Sequence, residues 1–343
     1  MKLLIVGSDH IWSIEKMYVK YLRELQVHVE LFAAQNYFYA YYNRSVFHKI
    51  IHRLGLSGII DRINEKLKKE IDHFQPQVIW VFKGMEITPS TLKWIRKKKI
   101  LLVNYNPDNP FIFSGTGSGN EHITASIPLF DLHFTYNLEI KKELENRFHA
   151  QTALLPFGFD ISGEVFARAL EEPEIIKVCF LGNPDKGRAD FIVKLLEKGI
   201  PVDVFGNGWS AFIHHPLAGI HDPVYGEAFW RELRKYRVQL NLMRIHNEHS
   251  HNMRSFEIPA IGGIQLAPDT PEHRIFFEEG KEIFLFRDAE DCVEKIKFLL
   301  ALTGQQAADI REQARKKSLD AGYDYKSRAY YAKSVIKKWK ERQ

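Results

Sequence analysis

Short apolar runs alternate with longer segments of helical periodicity along most of the chain. In the first half, the apolar runs fall at 2–6, 27–32, 77–82, 100–105 and 132–136. Segments with helical spacing lie at 13–25, 89–98 and 139–147, and a longer helical region separates the second and third runs. Strands that alternate with helices in this way predict a parallel, doubly wound sheet.

The same alternation restarts after a Pro- and Gly-containing break near residues 157–173. Strands are predicted at 175–181, 202–205, 238–243 and 264–266, and helices at 189–198, 229–235, 254–261, 290–300 and 303–321. A length of 343 residues fits two domains of ordinary size. We therefore predict two Rossmann-like domains, residues 1–160 and 170–325. Residues 326–343 are predicted to form a C-terminal helix that can cross back to the first domain.

Composition excludes several classes of protein. The 48 basic and 43 acidic residues leave a formal charge of +5, which suits an anionic ligand or a membrane surface but not nucleic acid. Cys179 and Cys292 have neither a metal-ligand spacing nor a disulfide framework. The N-terminus does not read as a secretory signal, and no apolar run approaches the roughly 20 residues that span a bilayer. We expect a cytoplasmic protein and leave peripheral membrane contact open.

A polar loop rich in His and Asn runs into a predicted helix that begins with Arg254 and contains Glu257. The free N–H groups of a helix N-terminus favour a phosphate, and an arginine can bind one in bidentate fashion. Glu257 can accept hydrogen bonds from two adjacent ribose hydroxyls. The alternative is a surface ion pair at i, i+3 spacing. Spacing alone leaves both interpretations open.

A longer series of residues in this half carries a family resemblance. It comprises Phe180-Leu181-Gly182-Asn183 with Arg188, Val204-Phe205-Gly206 with Gly208-Trp209, Tyr225-Gly226-Glu227, Asn241-Leu242, Asn252-x-Arg254-x-Phe256-Glu257-x-x-Ala260-x-Gly262, Pro271-Glu272, and Glu282, Leu285, Phe286 and Asp288. In this order it resembles the C-terminal domain of spore-maturation CgeB-like glycosyltransferases, within the GT-B, glycosyl-transferase group 1 clan. The resemblance covers roughly residues 175–335.

The resemblance implies a GT-B architecture, with two Rossmann-like domains facing a cleft, and a nucleotide-diphosphate sugar as donor. It implies no cofactor and no metal, because a helix dipole and cations stabilise the leaving diphosphate. Glu257 would bind the ribose, while Arg254, in the same motif as Asn252, would face the diphosphate. The other implied donor contacts are Gly182 and Asn183 beneath the phosphates, Lys186 or Arg188 as cationic partners, and Gly206, Asn207 and Trp209 near the nucleobase, with Trp209 packed on the base.

One position departs from the retaining branch of this clan, which has a second glutamate eight residues before the first. His249 occupies that position, so inversion of the sugar stereochemistry stays open. Inversion requires a general base on the acceptor side. Asp108 and His10 are the candidates, since each follows a predicted strand. A capping or solvated His10 and an Asx turn at Asp108 are the alternatives.

Three further segments have competing interpretations. The cluster of His246, His249 and His251 with Glu248 can bind a metal, but contact with phosphate and sugar is the favoured interpretation. The Gly/Ser loop at 114–119 is a lid or a simple surface loop, and no P-loop lysine follows it. The aromatic and basic segment at 37–69 is a packed edge of the core, a sugar platform or a membrane-surface helix.

From this resemblance we expect a metal-independent transferase of a hexosyl or related group. Its acceptor would be a glycan, a lipid-linked molecule or a protein. The alternatives are a nucleotide-sugar epimerase on the same architecture and a non-catalytic nucleotide- or sugar-binding protein. A Rossmann oxidoreductase ranks last, because the first strand ends in Gly7-Ser8-Asp9 without the glycine fingerprint of dinucleotide binding.

Overall fold

The structure, a computed structural model, describes residues 1–113, 118–244, 247 and 249–342. The chain divides into two compact units. Unit 1 comprises Met1–Pro156 together with the segment from Tyr325 onward, and unit 2 comprises Phe157–Asp324. The C-terminal helix therefore belongs to the same unit as the N-terminus.

Unit 1 is a parallel sheet covered by helices. Its strands are β1 (Lys2–Val6), β2 (His28–Phe32), β3 (Val78–Phe82), β4 (Leu101–Tyr105), β5 (Leu132–Thr135) and β6 (Thr152–Leu154). Its helices are α1 (Ile14–Glu24), α2 (Ala34–Tyr42), α3 (Val46–Arg53), α4 (Ile59–Phe74), α5 (Pro89–Lys97), α6 (Glu121–Ser126), α7 (Leu138–Phe148) and the C-terminal α15 (Tyr325–Lys340). The strand order is β2-β1-β3-β4-β5-β6. Strands β3 and β4 are buried at every position, as expected for the centre of a sheet with helices on both faces.

Unit 2 repeats this plan. Its strands are β7 (Ile175–Leu181), β8 (Val202–Phe205), β9 (Ala218–His221), β10 (Tyr236–Leu240), β11 (Gln265–Pro268) and β12 (Phe284–Phe286). Its helices are α8 (Gly163–Leu170), α9 (Lys186–Glu197), α10 (Gly226–Lys235), α11 (Arg254–Ala260), α12 (Pro271–Phe276), α13 (Ala289–Leu300) and α14 (Gly304–Asp320). The order β12-β11-β10-β7-β8-β9 is parallel throughout and is the strand order of a dinucleotide-binding Rossmann domain.

The strand order of each sheet marks one place where ligands bind. In an open parallel sheet this is the crevice beyond the carboxyl ends of two adjacent strands whose following connections run in opposite directions. These strands are β1 and β3 in unit 1, and β7 and β10 in unit 2. We therefore expect a ligand beyond one or both of these pairs of strand ends.

The predicted fold class, two Rossmann-like parallel-sheet domains of the α/β class, is confirmed. The elements that the pattern missed are short. Helices α6, α8 and α12 have six to eight residues, and α8 lies within the predicted break at 157–173. Strands β6 and β12 have three residues each, and β9 is a partly exposed edge strand of four. Within the described residues, no helix is both long and apolar enough to cross a membrane.

Candidate functional site

Two glycine loops meet at the carboxyl ends of β7 and β8. The Gly182 N–H donates to Phe205 O at 2.9 Å, and the Asn207 N–H donates to the side-chain oxygen of Asn183 at 3.0 Å. A Cβ at Gly206 would lie only 2.5 Å from Gly182 O, so this close approach requires a glycine. Gly182, Asn183, Gly206 and Asn207, predicted as donor contacts, thus form one interlocked pair of loops.

Trp209 does not have the predicted place against a nucleobase. Its side chain is fully buried, and its indole N–H donates to Gly182 O at 2.9 Å. Its ring packs edge-on against Phe180, 5.6 Å between centroids. Because a base needs an open aromatic face, the stacking prediction is wrong. Trp209 instead fixes the Gly182 loop from inside.

Arg188 and Arg254 are anchored where β7 and β10 end. Arg188 bridges the two strand ends, since its Nη2 donates to Leu242 O at 2.9 Å and its Nη1 to Asn183 O at 3.3 Å. Burial and the positive charges of Arg244 and Arg254 together lower the pKa of Arg188 to about 10, while Asp185 acts in the opposite direction. Arg188 and Arg254 are partly buried and Arg244 is exposed, and positive charges at these strand ends favour an anionic ligand.

Arg254 and Glu257 form an ion pair, as the i, i+3 spacing allows, but this pair is not an exposed one. The Glu257 side chain is 10% exposed and the Arg254 side chain 30%. Arg254 is also anchored, because its Nε donates to Leu181 O at 3.1 Å and its guanidinium lies 4.3 Å from the Phe229 ring centre. Among the described residues, Glu257 Oε1 receives no hydrogen bond, which leaves an acceptor for a ligand hydroxyl.

Asn252 holds the start of α11 against the end of β10. Its Nδ2 donates to Asn241 Oδ1 at 2.8 Å, and its Oδ1 accepts from the Ser255 N–H at 3.2 Å. Both ends of its side-chain amide are therefore bonded within the protein. In this structure the Asn252 amide therefore joins the start of α11 to the end of β10.

A buried polar network supports α11 from below. His251 Nδ1 lies 2.5 Å from Glu272 Oε2, and Ser250 donates to the same oxygen. Ser255 Oγ lies 2.8 Å from His273 Nε2, and burial lowers the pKa of His273 to about 4. Because this network holds α11 firmly, it preserves the geometry of Arg254 and Glu257 at the strand ends.

The other predicted residues of unit 2 lie nearer the solvent. The Lys186 ammonium bonds Asp190 at 2.6 Å with its side chain 83% exposed, and His249 is exposed. His246, Glu248 and residues 114–117 of the Gly/Ser loop lie outside the described residues. The His251 side chain is buried in the core, whereas His249 is exposed, so the two do not form one cluster. In the part of the chain that is described, no three His, Cys, Asp or Glu side chains are grouped to hold a metal.

In unit 1, both predicted base candidates lie near the carboxyl ends of the central strands. The His10 ring stacks on Trp12 with 5.2 Å between centroids and lies 6.3 Å from the Tyr39 ring. Asp108 Oδ2 lies 2.5 Å from Lys83 Nζ, so its carboxylate is ion-paired. The Asx turn of this loop is made by Asn106, whose Oδ1 accepts from the Asp108 N–H at 3.0 Å.

Two buried carboxyl groups at the same strand ends were not predicted. Glu15 Oε1 accepts a hydrogen bond from the Ser8 N–H at 2.9 Å. This oxygen also lies close to Gly7, since a Cβ added at Gly7 would be only 2.5 Å from Glu15 Oε1. Burial raises the pKa of Glu15 to about 7, against the lowering effects of hydrogen bonds and of Lys83. Burial likewise raises the pKa of Glu86 to about 7, and Glu15 contributes in the same direction. A carboxyl with a pKa near neutrality suits proton transfer.

These two carboxyls should make unit 1 less stable as the pH rises from about 4.5 to above 7. The folded state, with the raised pKa, binds more protons in this window than the unfolded state, so stability falls with pH. A shift of this size corresponds to about 3 kcal/mol for each group. Glu86→Gln should therefore raise the thermal midpoint at pH 8 more than at pH 5. A Glu143→Gln control, on the exposed ion pair with Arg147, should change neither midpoint by much. An equal gain at both pH values would contradict the shift.

Comparison with known proteins gives one sequence match. Residues 188–333 match the profile of a family described as glycosyl transferase-like. This segment contains Arg188, Arg244, Arg254 and Glu257. Among curated proteins, no sequence matches the chain.

Several solved structures share the fold over nearly the whole chain. Sucrose-phosphate synthase from Thermosynechococcus elongatus aligns with a TM-score of 0.70, at 10% identity over 100% of both chains. Alr3699/HepE from Anabaena in complex with UDP-glucose aligns with a TM-score of 0.65, at 12% identity over 98% of this chain and 100% of that one. The UDP-GlcNAc 2-epimerase of Neisseria meningitidis bound to UDP-GlcNAc gives 0.57, at 12% identity and the same coverage. At these identities the likeness establishes the fold.

Proposed function

We propose that this protein is a glycosyltransferase that binds a nucleotide-diphosphate sugar in unit 2. The observation that carries the proposal is that Arg188 and Arg254 are both anchored on backbone carbonyls at the ends of β7 and β10, beside the nearly buried Glu257. The arginines offer a diphosphate fixed positive charge, and Glu257 offers the ribose hydroxyls an acceptor. The family match over the same residues supports this assignment.

The same cluster gives a chemical role to this end of the sheet. When the bond between the sugar and the diphosphate breaks, negative charge grows on the leaving nucleotide. Arginines already held at the strand ends stabilise that charge without having to reorganise. We therefore propose that transfer requires neither a metal ion nor a cofactor. The motif order in unit 2 further favours a CgeB-like member of the group 1 clan, transferring a hexosyl or related group.

A nucleoside diphosphate should bind the 343-residue chain in the presence of EDTA. At about 100 times its Kd, a ligand stabilises the folded state by roughly 2.7 kcal/mol, which thermal unfolding detects easily. We expect at least one of UDP, GDP and dTDP to raise the unfolding midpoint, with UDP tested first because two solved structures of the same fold hold UDP-sugars. The corresponding nucleosides serve as controls. A shift that appears only with Mg²⁺ or Mn²⁺ would contradict metal independence.

For the acceptor, we propose a site at the carboxyl ends of β1 and β3 in unit 1. Asp108 and His10 remain the candidates for the general base, and Glu86 is added by the structure. The exposed ring of Trp12, stacked on His10, offers a surface on which a sugar can pack. This chemistry accommodates a free glycan, a lipid-linked sugar or a glycosylated protein, with inversion or retention of configuration.

The second candidate function is epimerisation of a nucleotide sugar. It is favoured by one observation, the shared fold of the Neisseria meningitidis epimerase. An epimerase would convert its nucleotide sugar without an acceptor. A transferase without an acceptor would only hydrolyse its nucleotide sugar slowly. Incubating the purified protein with UDP-GlcNAc and UDP-glucose alone, with NMR detection of the sugar, separates the two. Formation of an epimeric nucleotide sugar would replace the transferase proposal.

A further inference from the structure

Helix α3 presents its apolar side to solvent, the reverse of an ordinary surface helix. Val46, Phe47, Ile50 and the following Leu54 fall on one stripe at helical spacing, and all four are exposed, with Phe47 66% accessible. The nearby Leu56 is 75% exposed. A surface helix normally turns such a stripe toward the core. We define these five residues as the α3 apolar face.

The opposite side of α3 is already occupied. The His48 ring packs edge-on against Tyr41, 4.8 Å between centroids, and the His52 ring packs against Phe38 at 5.0 Å. The Lys49 ammonium lies 5.4 Å from the Tyr42 ring centre. These contacts hold α3 on α2 through its more polar side. The outward orientation of the apolar face is therefore set by packing, and no residue of α3 is buried.

The segment that contains this face carries charge of one sign. Residues 31–60 contain Arg44, Lys49 and Arg53 and no Asp or Glu. Arg44 and Arg53 are exposed at the two ends of α3. An apolar stripe with an exposed cation at each end is complementary to a surface with an apolar interior and anionic groups above it, which is the interface of a bilayer that contains anionic lipid.

We propose that the α3 apolar face docks unit 1 on anionic membranes, with Phe47, Ile50 and Leu54 in the acyl region and Arg44 and Arg53 at the headgroups. A second copy of this chain fits less well. A two-fold contact would bring the same patch of each copy against the other and oppose its uncompensated cations. The inference does not depend on the proposed transfer activity.

Flotation with vesicles tests this inference on the 343-residue chain. Vesicles of phosphatidylcholine with roughly 30% phosphatidylglycerol should carry the protein, pure phosphatidylcholine should carry much less, and salt should weaken binding. Phe47→Asp combined with Ile50→Asp should reduce the bound fraction at least tenfold. Arg44→Glu and Arg53→Glu should each reduce it about fivefold or more, since one basic residue near such a surface contributes about that factor.

The matched control is Phe298→Asp, an exposed phenylalanine of unit 2 with a similar accessibility of 57%. It should bind vesicles as the unsubstituted protein does. An unchanged circular dichroism spectrum and thermal unfolding midpoint establish that each variant is folded. Absence of binding to anionic vesicles would overturn the inference, as would full binding by the Phe47→Asp, Ile50→Asp variant. A dimer in light scattering that dissociates in that variant would also overturn it, in favour of a second copy.

Discussion

Glu257→Ala should weaken binding of the nucleoside diphosphate about tenfold or more while the protein stays folded. Its carboxylate is nearly buried beside the arginine cluster, and a hydrogen bond to a charged group contributes about 1.5–3 kcal/mol. Arg254→Ala should have an effect of similar size. Arg254→Lys should restore only part of the affinity, because lysine lacks the planar fork that binds a phosphate through two hydrogen bonds.

Glu278→Ala is the matched control for this series. Glu278 also forms an i, i+3 ion pair, with Lys281, but both side chains are 59% exposed. Glu278 lies in the turn after α12, and an exposed ion pair of this kind contributes little, so this variant should keep full affinity. If Glu257→Ala and Arg254→Ala both bind as tightly as the control does, the pair is only structural and the donor site in unit 2 loses its main support.

Asp108→Asn or His10→Ala should reduce transfer far more than donor binding. Removing a general base typically costs about 10²–10⁴-fold in rate, and both residues lie in unit 1, whereas the donor contacts are assigned to unit 2. We expect the base variant to lower kcat with little change in nucleotide affinity. Steady-state kinetics with a competent acceptor, together with nucleotide titration, measure both quantities.

Asp9→Asn is the control for this second prediction. Asp9 is an exposed carboxylate in the same loop as His10 and pairs with Lys16 at 3.1 Å. It should retain full turnover. If Asp108→Asn and His10→Ala also retain it, neither residue is the base. Glu86→Gln then becomes the deciding variant, because Glu86 is a buried carboxyl at the same strand ends with a pKa near neutrality.

Much of the fold follows from the sequence because buried strands of a parallel sheet are continuous apolar runs. Lys2–Val6, Ile175–Leu181 and Val202–Phe205 coincide with the predicted runs. Helix α9 begins three residues earlier than its apolar spacing indicated, because Asp185 caps it by accepting from the Arg188 N–H. Local pattern carries less information about strand order, which depends on contacts between residues far apart in the chain.

The site was only partly predictable from the sequence. The glycines and the Arg254 motif lie at strand and helix ends. The apolar pattern predicts these ends, and ligands of parallel sheets bind there. The stacking role of Trp209 was wrong because burial depends on the whole unit, and a tryptophan after a glycine turn can face either way. Arg244 follows the end of a predicted strand, but only the pairing of β7 with β10 places it near Arg188. Glu15 lies in the first turn of α1, where acidic residues are common, and nothing local distinguishes a buried carboxyl from an exposed one.

A crystal structure of the 343-residue chain with UDP, or with whichever nucleoside diphosphate gives the largest thermal shift, would locate the nucleotide. We expect the diphosphate to lie against Arg254 and the arginine cluster beyond the carboxyl ends of β7 and β10, with a ribose hydroxyl within hydrogen-bond distance of Glu257. A nucleotide bound in unit 1, or bound in unit 2 without contact to Arg254 or Glu257, would contradict this expectation.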